Sequence, residues 1–283
     1  MIEPLLADDA FLADVQLARA DASNLHVWWL GQSGYLLQWK GKHALVDPYL
    51  SDSLTKKYAA TDKPHVRMTR RVIAPERLEF IDVISASHIH TDHLDPETLQ
   101  PLFAANQANE ELELIVPAPL KDEAARRAAC PGNRVQGLAD GSAHDRSMFR
   151  FHAIPAAHNA IDRDEHGRCM FLGFIIEAGP FRIYHSGDTL PYAGLAETVG
   201  PFNVDLALLP INGHLPERRV AGNLSGVEAA RLAKAAQAKM VVPCHYEMFE
   251  FNTASPDEFV TECQRIDQPH RVLRAGERLT LAR

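Results

Sequence analysis

Only four cysteines occur in the 283 residues, Cys130, Cys169, Cys244 and Cys263, and none forms a CxxC pair. Widely spaced free thiols fit a reducing compartment, so a cytoplasmic protein is expected. Free cysteine packs as a small hydrophobe, and Cys244 is read that way although it stands beside His245. No stretch is long and apolar enough for a membrane helix. The start, Met1-Ile2-Glu3-Pro4, has an acid where a signal peptide needs basic charge, and no apolar h-region follows. Positive charge is in deficit: 29 Lys and Arg against 37 Asp and Glu leave a net charge of −8. That argues against a general affinity for nucleic-acid backbones. No composition shift, Pro/Ser-rich linker or internal repeat divides the chain, so one domain over residues 1–283 is expected. No serine lies in a nucleophile elbow, which removes the usual sign of a Ser-His-Asp hydrolase.

What is present is ordinary for a globular protein, with 46% hydrophobic and 23% charged residues, enough to bury a large core. An amphipathic helix is predicted over residues 5–20. His26–Leu30, Tyr35–Trp39 and Ala44–Val46 read as hairpin-linked strands, and residues 51–71 as a polar loop or lid. Ile81–Ala86 reads as a buried strand, and Asp95-Pro96 as the N-cap and first position of a helix. Strands follow at Leu112–Val116, Phe149–Ile154, Phe171–Glu177, Phe181–His185, Val204–Leu209 and Met240–Pro243. Helices are predicted over Leu120–Ala129, from the capping box Ser225–Glu228 to Ala238, and over Pro256–Ile266. Two short strands should flank Ala275-Gly276. Meander and alternation in this order suit two sheets covered outside by helices.

The segment from Ser87 to Asp95 carries the chemistry. It sets His88, His90, Asp92 and His93 in HxHxDH order directly after a buried strand. Imidazole and carboxylate are the ligand set of zinc and related metals. His88 and His90, two apart, point to the same side. Asp92 and His93 are adjacent and point apart, so one loop can serve two neighbouring ions. Three later strand ends offer further ligands: His158 after Ile154, Asp188 in Tyr184-His185-Ser186-Gly187-Asp188, and His245 after Val242-Pro243-Cys244.

These segments, with Trp28-Trp29-Leu30-Gly31-Gln32-Ser33-Gly34 and Val46-Asp47, resemble the metallo-β-lactamase-fold superfamily. Within it they are most similar to the L-ascorbate-6-phosphate lactonase-like group. The match spans roughly residues 26 to 250. The resemblance implies an α/β four-layer αββα sandwich with two divalent metal ions, zinc first and manganese second, at one edge. It assigns His88, His90 and His158 to one ion and Asp92, His93 and His245 to the other, with Asp188 bridging. The lactonase carries aspartate at the position of His158. A His-rich set leans toward zinc, and oxygen ligands toward manganese. The resemblance also implies a homo-oligomer.

Two ions ~3.5–4 Å apart can share a bound water and lower its pKa toward ~7, so that metal-bound hydroxide is the nucleophile. Asp92 is the expected catalytic carboxylate, orienting that water while ligating. Asp47 is the expected orienter of a ligating histidine, and His185 is read as facing the core. Asn212, Arg218 and Tyr246 are the expected substrate contacts; Arg67, Arg70 and Arg71 are further arginines to place. The expected activity is opening of a small polar or phosphorylated lactone or ester. The alternative is phosphodiester hydrolysis on a cyclic nucleotide, phospholipid-like or RNA substrate.

Overall fold

The computed structural model describes residues 1–220 and 222–282. The chain begins with α1 (Asp8–Ala18), then the meander β1 (Leu25–Gly31), β2 (Gly34–Trp39) and β3 (Lys42–Val46). Next come α2 (Ser53–Tyr58), β4 (Val83–Ser85), α3 (Pro96–Ala105), β5 (Glu113–Pro117), α4 (Lys121–Ala128) and β6 (Val135–Leu138). A second meander follows: β7 (Ala143–Arg146), β8 (Phe149–Pro155), β9 (Leu172–Ala178) and β10 (Phe181–His185). The chain ends with α5 (Leu195–Val199), β11 (Leu206–Pro210), α6 (Gly226–Ala235), β12 (Val241–Cys244), α7 (Asp257–Arg265) and β13 (Arg278–Leu281).

Two mixed sheets result, in the orders β13-β1-β2-β3-β4-β5-β6 and β12-β11-β10-β9-β8-β7. Every residue of β1 and β2 is buried, as expected of strands covered on both faces. The sheets face each other through β2: Trp39 packs edge-on against Phe181, and Tyr35 against His185, at ring separations of 5.3 and 6.0 Å. Helix α4 lies against β5 and β6 with α3 packed on it, and α6 lies against β11 and β12, with α7 packed on α6. The fold is therefore the expected α/β sandwich of four layers. Among the described residues no helix is long and apolar enough to cross a membrane.

The helix starts follow their sequence signals. The Asp95 side chain accepts from the Glu97 amide, with Pro96 at the first helical position. Ser225 and Glu228 form the reciprocal capping box of α6. Other readings need correction. Residues 51–71 contain α2, a helix of six residues with one buried side chain, Leu54, too short to show a period. Strand β6 was not legible because Gly137 interrupts it; a Cβ there would lie 2.9 Å from the Ala118 Cα, a close approach that explains the glycine. Strand β7 is a partly exposed edge strand, Ala-His-Asp-Arg, and charge at an edge replaces the apolar run. Only β13 forms of the two C-terminal strands; the chain before Ala275 makes an isolated bridge between His270 and Val241.

Topology gathers the site. Strands β3, β4, β5 and β6 run parallel, and so do β10, β11 and β12. β8 points the same way as β10, because each is antiparallel to β9. The segments bearing Asp47, His88–His93, His158, Asp188 and His245 therefore leave carboxyl ends of strands at one rim, where open α/β sheets place their ligands.

Candidate metal centre

Two groups of donors meet at that rim. His88, His90 and His158 form one, and Asp92, His93, Asp188 and His245 the other; within each, one ligand atom per residue lies within 4.8 Å of all the rest. A ring separation of 4.0 Å between His88 and His93, and a distance of 3.7 Å between His158 Nε2 and Asp188 Oδ2, bring the two groups side by side. Each ligand-bearing loop is braced from behind. Asp47 is fully buried. It accepts from the Ser87 amide at 2.8 Å, from Ser87 Oγ at 2.5 Å and from His93 Nδ1 at 2.5 Å. With its Nδ1 proton given to Asp47, His93 turns Nε2 toward Asp188 Oδ1, 3.3 Å away. His158 Nδ1 donates to the Gly222 carbonyl at 2.8 Å, which likewise turns Nε2 inward. Gly187 at φ +58° makes the turn before Asp188, where a Cβ would lie 2.7 Å from the Ser87 Cβ. Buried His185 donates to the Ser33 carbonyl at 2.9 Å and so ties the sheets together rather than joining either group.

The electrostatics fit a cation. Burial alone would raise the Asp92 and Asp188 carboxyls, but His93 and His245 outweigh it and hold both well below the usual carboxylate range. Burial would lower His93, yet Asp188, Asp92 and Asp47 push it well above the ordinary imidazole value. His245 is raised to about 9, as Asp188 and Asp92 overcome its burial. Without an ion, two carboxylate charges are thus balanced by protons on two imidazoles, and a divalent cation can replace them once the imidazoles deprotonate. His88 is driven well below its ordinary value by burial and by His93, which keeps it a neutral ligand. Buried His93 Nε2 and Asp188 Oδ1 have no aligned hydrogen-bond partner. Buried polar atoms are rarely left so without an ion or a water to meet them. An imidazole trio beside an imidazole–carboxylate quartet fits a divalent transition metal in each group.

Gln32 was missed from sequence. Its Nε2 donates to Asp92 Oδ2 at 2.8 Å and lies 3.0 Å from His245 Nε2. Its carbonyl accepts from Trp29 Nε1 at 2.9 Å and from the His245 amide at 3.0 Å. The signal that could have found it is its place in Trp28-Trp29-Leu30-Gly31-Gln32-Ser33-Gly34.

Above the donors opens a cleft of about 460 Å³, which Asp92, His90, His158, Asp188 and His245 line at its floor. The three expected substrate contacts do not line it. Tyr246 is buried, stacked on Trp29 at 4.5 Å, and its hydroxyl donates to the Leu273 carbonyl. Asn212 is buried among Asn252 and Asn223, to which its amide bonds at 2.9 and 3.0 Å. Arg218 spends its guanidinium on the carbonyls of Asn212 and Thr253 at 2.6 and 2.8 Å. All three hold the loops that shape the cleft. Arg67, Arg70 and Arg71 also serve the frame, bonding Asp52, Glu3 with Asp8, and the Leu50 carbonyl. Cys244 is buried, with its thiol pushed up by that burial, and packs as expected. Residues that do line the cleft include Lys57, in the last turn of the short helix α2, and Lys63, His65 and Arg219, which lie outside any helix or strand named above and show no sequence period.

Residues 43–246, which contain both donor groups, match the β-lactamase superfamily domain. A UPF0173 metal-dependent hydrolase from Thermoplasma acidophilum is 30% identical over 243 residues, covering 83% of this chain and 89% of its own. The chain belongs to this superfamily and to its UPF0173 metal-dependent hydrolase family. A further UPF0173 metal-dependent hydrolase, from Myxococcus xanthus, is 25% identical and covers 90% of this chain and 82% of its own length. In three dimensions the UPF0173 chain is similar to a metallo hydrolase from Ignicoccus hospitalis. The TM-score is 0.65 at 20% identity, covering 92% of this chain and all of that one, which shows a shared fold.

Proposed function

We propose that this UPF0173 member is a hydrolase working with two divalent cations, zinc by preference and manganese second. His88, His90 and His158 would hold one, and Asp92, His93 and His245 the other, with Asp188 near enough to serve both. The substrate is a small, polar lactone or related ester. The observation that carries this reading is the pairing of an all-imidazole group with an imidazole–carboxylate group at the floor of one cleft. Bound divalent ions supply Lewis acidity and lower the pKa of water toward ~7. The chain's own side chains do the rest. Asp92 is the carboxylate that would orient the attacking water by accepting a hydrogen bond from it. It opens on the cleft, whereas Asp188 is nearly enclosed. Gln32 fixes the Asp92 carboxylate from behind. Support for a lactone comes from the lactonase-like Trp28–Gly34 and Tyr184–Asp188 segments.

The test is a hydrolysis screen of protein reconstituted separately with zinc and manganese, with a chelator-treated control. Chelator-sensitive opening of sugar lactones is expected. Cleavage of bis(p-nitrophenyl) phosphate without lactone opening would move the protein to the phosphodiesterases. Asp188→Ala and His90→Ala should lose metal content and activity together, so full turnover by either variant would refute the ligand assignment.

A further inference from the structure

The cleft walls carry a charge pattern that the floor chemistry does not use. Among the described residues, the carboxylates lining the cleft are Asp92 and Asp188, both at the floor, while Lys57, Lys63, Arg127 and Arg219 line its sides. In a chain of net charge −8 such a one-signed wall stands out. Two of the four cations are largely spent. Arg127 pairs with Glu123 and caps the Ile89 carbonyl; Arg219 pairs with Asp62. The two lysines are not spent. Lys57 has no carboxylate partner among the described residues; its ammonium lies 5.2 Å from the Tyr58 ring centre. Lys63 donates to a neutral group, the Arg219 carbonyl, at 2.6 Å; among the described residues it forms no ion pair, and the neighbouring Asp62, itself paired with Arg219, acts on it only at longer range.

The segment bearing these lysines is braced. Thr55 Oγ1 donates to the His65 carbonyl at 2.7 Å. Tyr58 stacks on His65 at 4.4 Å, and His65 meets Phe249 edge-on at 5.1 Å. Lys63 and Asp62 together tie the segment to Arg219 across the cleft mouth. Leu54, Tyr58 and Phe249 pack in one apolar cluster and supply apolar lining to the same cleft. Braced cations cost little ordering on binding, and the volume is that of a small-molecule site.

We propose that Lys57 and Lys63 form an anion subsite that recognises a phosphate or carboxylate on a small substrate, at the opposite end from the bond cleaved. The carbon skeleton lies along Leu54, Tyr58 and Phe249. This rests on the hydrolase reading above and narrows its substrate to organic anions.

The test uses the full-length, metal-loaded protein and two readouts. Calorimetry compares glucose 6-phosphate and gluconate with glucose. The two anions should bind, more weakly as salt rises, and glucose should not. The arm that binds more tightly tells phosphate from carboxylate. Lys57→Glu combined with Lys63→Glu should weaken anion binding by about tenfold or more while melting temperature and metal content hold. The same variant should lower the ratio of kcat/KM for a phosphorylated lactone to that for its neutral parent about tenfold. Lys40→Glu with Lys121→Glu, the same charge change outside the cleft, should leave that ratio unchanged. Equal binding of glucose and its phosphate, or charge reversal without effect, would overturn the subsite. Anion binding that the reversal abolishes, with no turnover of any substrate, would support the subsite and remove the hydrolase reading.

Discussion

Replacing Asp47 by asparagine separates the charge of one carboxylate from everything else it does. Asp47 sits at φ +43°, a left-handed conformation that Asp and Asn tolerate and most residues do not. Asn therefore keeps the backbone and can still accept from the Ser87 amide. It cannot accept from both His93 Nδ1 and Ser87 Oγ as the carboxylate does at 2.5 Å each. Losing an orienting carboxylate behind a ligating histidine typically costs 10–100-fold in metal affinity or activity. Asp47→Ala goes further. It leaves the buried Ser87 and His93 N–H groups without an acceptor, at about 1–3 kcal/mol each, and adds about 1 kcal/mol or more for the left-handed backbone. The expected series is a modest loss of stability for Asn with a large loss of zinc affinity, and about 3–7 kcal/mol for Ala, enough to unfold many proteins of this size. Urea unfolding of chelator-treated protein, read by tryptophan fluorescence, gives the first quantity, and competition with a chromophoric chelator gives the second. An Asn variant with wild-type zinc affinity would refute the claim that Asp47 sets the His93 tautomer.

Two further outcomes follow from groups away from the ion chemistry or at its hinge. His43 is buried, its Nε2 proton donated to Gln38 Oε1 at 3.0 Å, and burial drives its pKa down to about 4 against a partial opposing pull from Asp82. The folded state thus refuses a proton that the unfolded chain takes near pH 6.5, so its contribution is whole above that pH and lost as pH falls toward 4. Between pH 7 and pH 5 this amounts to about 2 kcal/mol. Urea midpoints of chelator-treated protein should fall less over that range in His43→Gln, and identical pH slopes would show the imidazole plays no part. Gly187→Ala places a Cβ 2.7 Å from the Ser87 Cβ and 2.8 Å from the Leu172 carbonyl oxygen at φ +58°. Crowding and left-handed strain together should cost about 2–4 kcal/mol and displace Asp188; an unchanged melting temperature and metal content would contradict the packing described.

The clustering of the candidate donors was legible because its signal is local and dense. HxHxDH puts four donors in six residues, and the partners His158, Asp188 and His245 each follow a buried strand whose apolar run is plain. The sandwich was legible from the same runs. What escaped depends on contacts between distant segments. Arg218 and Asn212 looked like substrate contacts because they follow a strand end, but bonds to Asn252 and Thr253, about forty residues on, turn them into struts. Tyr246 follows a ligand directly, yet its left-handed neighbour His245 at φ +63° sends it back onto Trp29. Lys57 and Lys63 carry no pattern at all; contacts between distant residues, Thr55 with His65, His65 with Phe249 and Asp62 with Arg219, set them at the cleft.

The four-donor group joins Asp92, after the first sheet's β4, to Asp188 and His245, after strands of the second. A chain made from its amino end presents the histidine-rich loop early and His245 almost last. Until then the quartet is open, and the first sheet still lacks β13, its own closing strand. An ion bound by this quartet would span both sheets and act as a latch across two layers, so its loss should loosen the rim before it disturbs the strands.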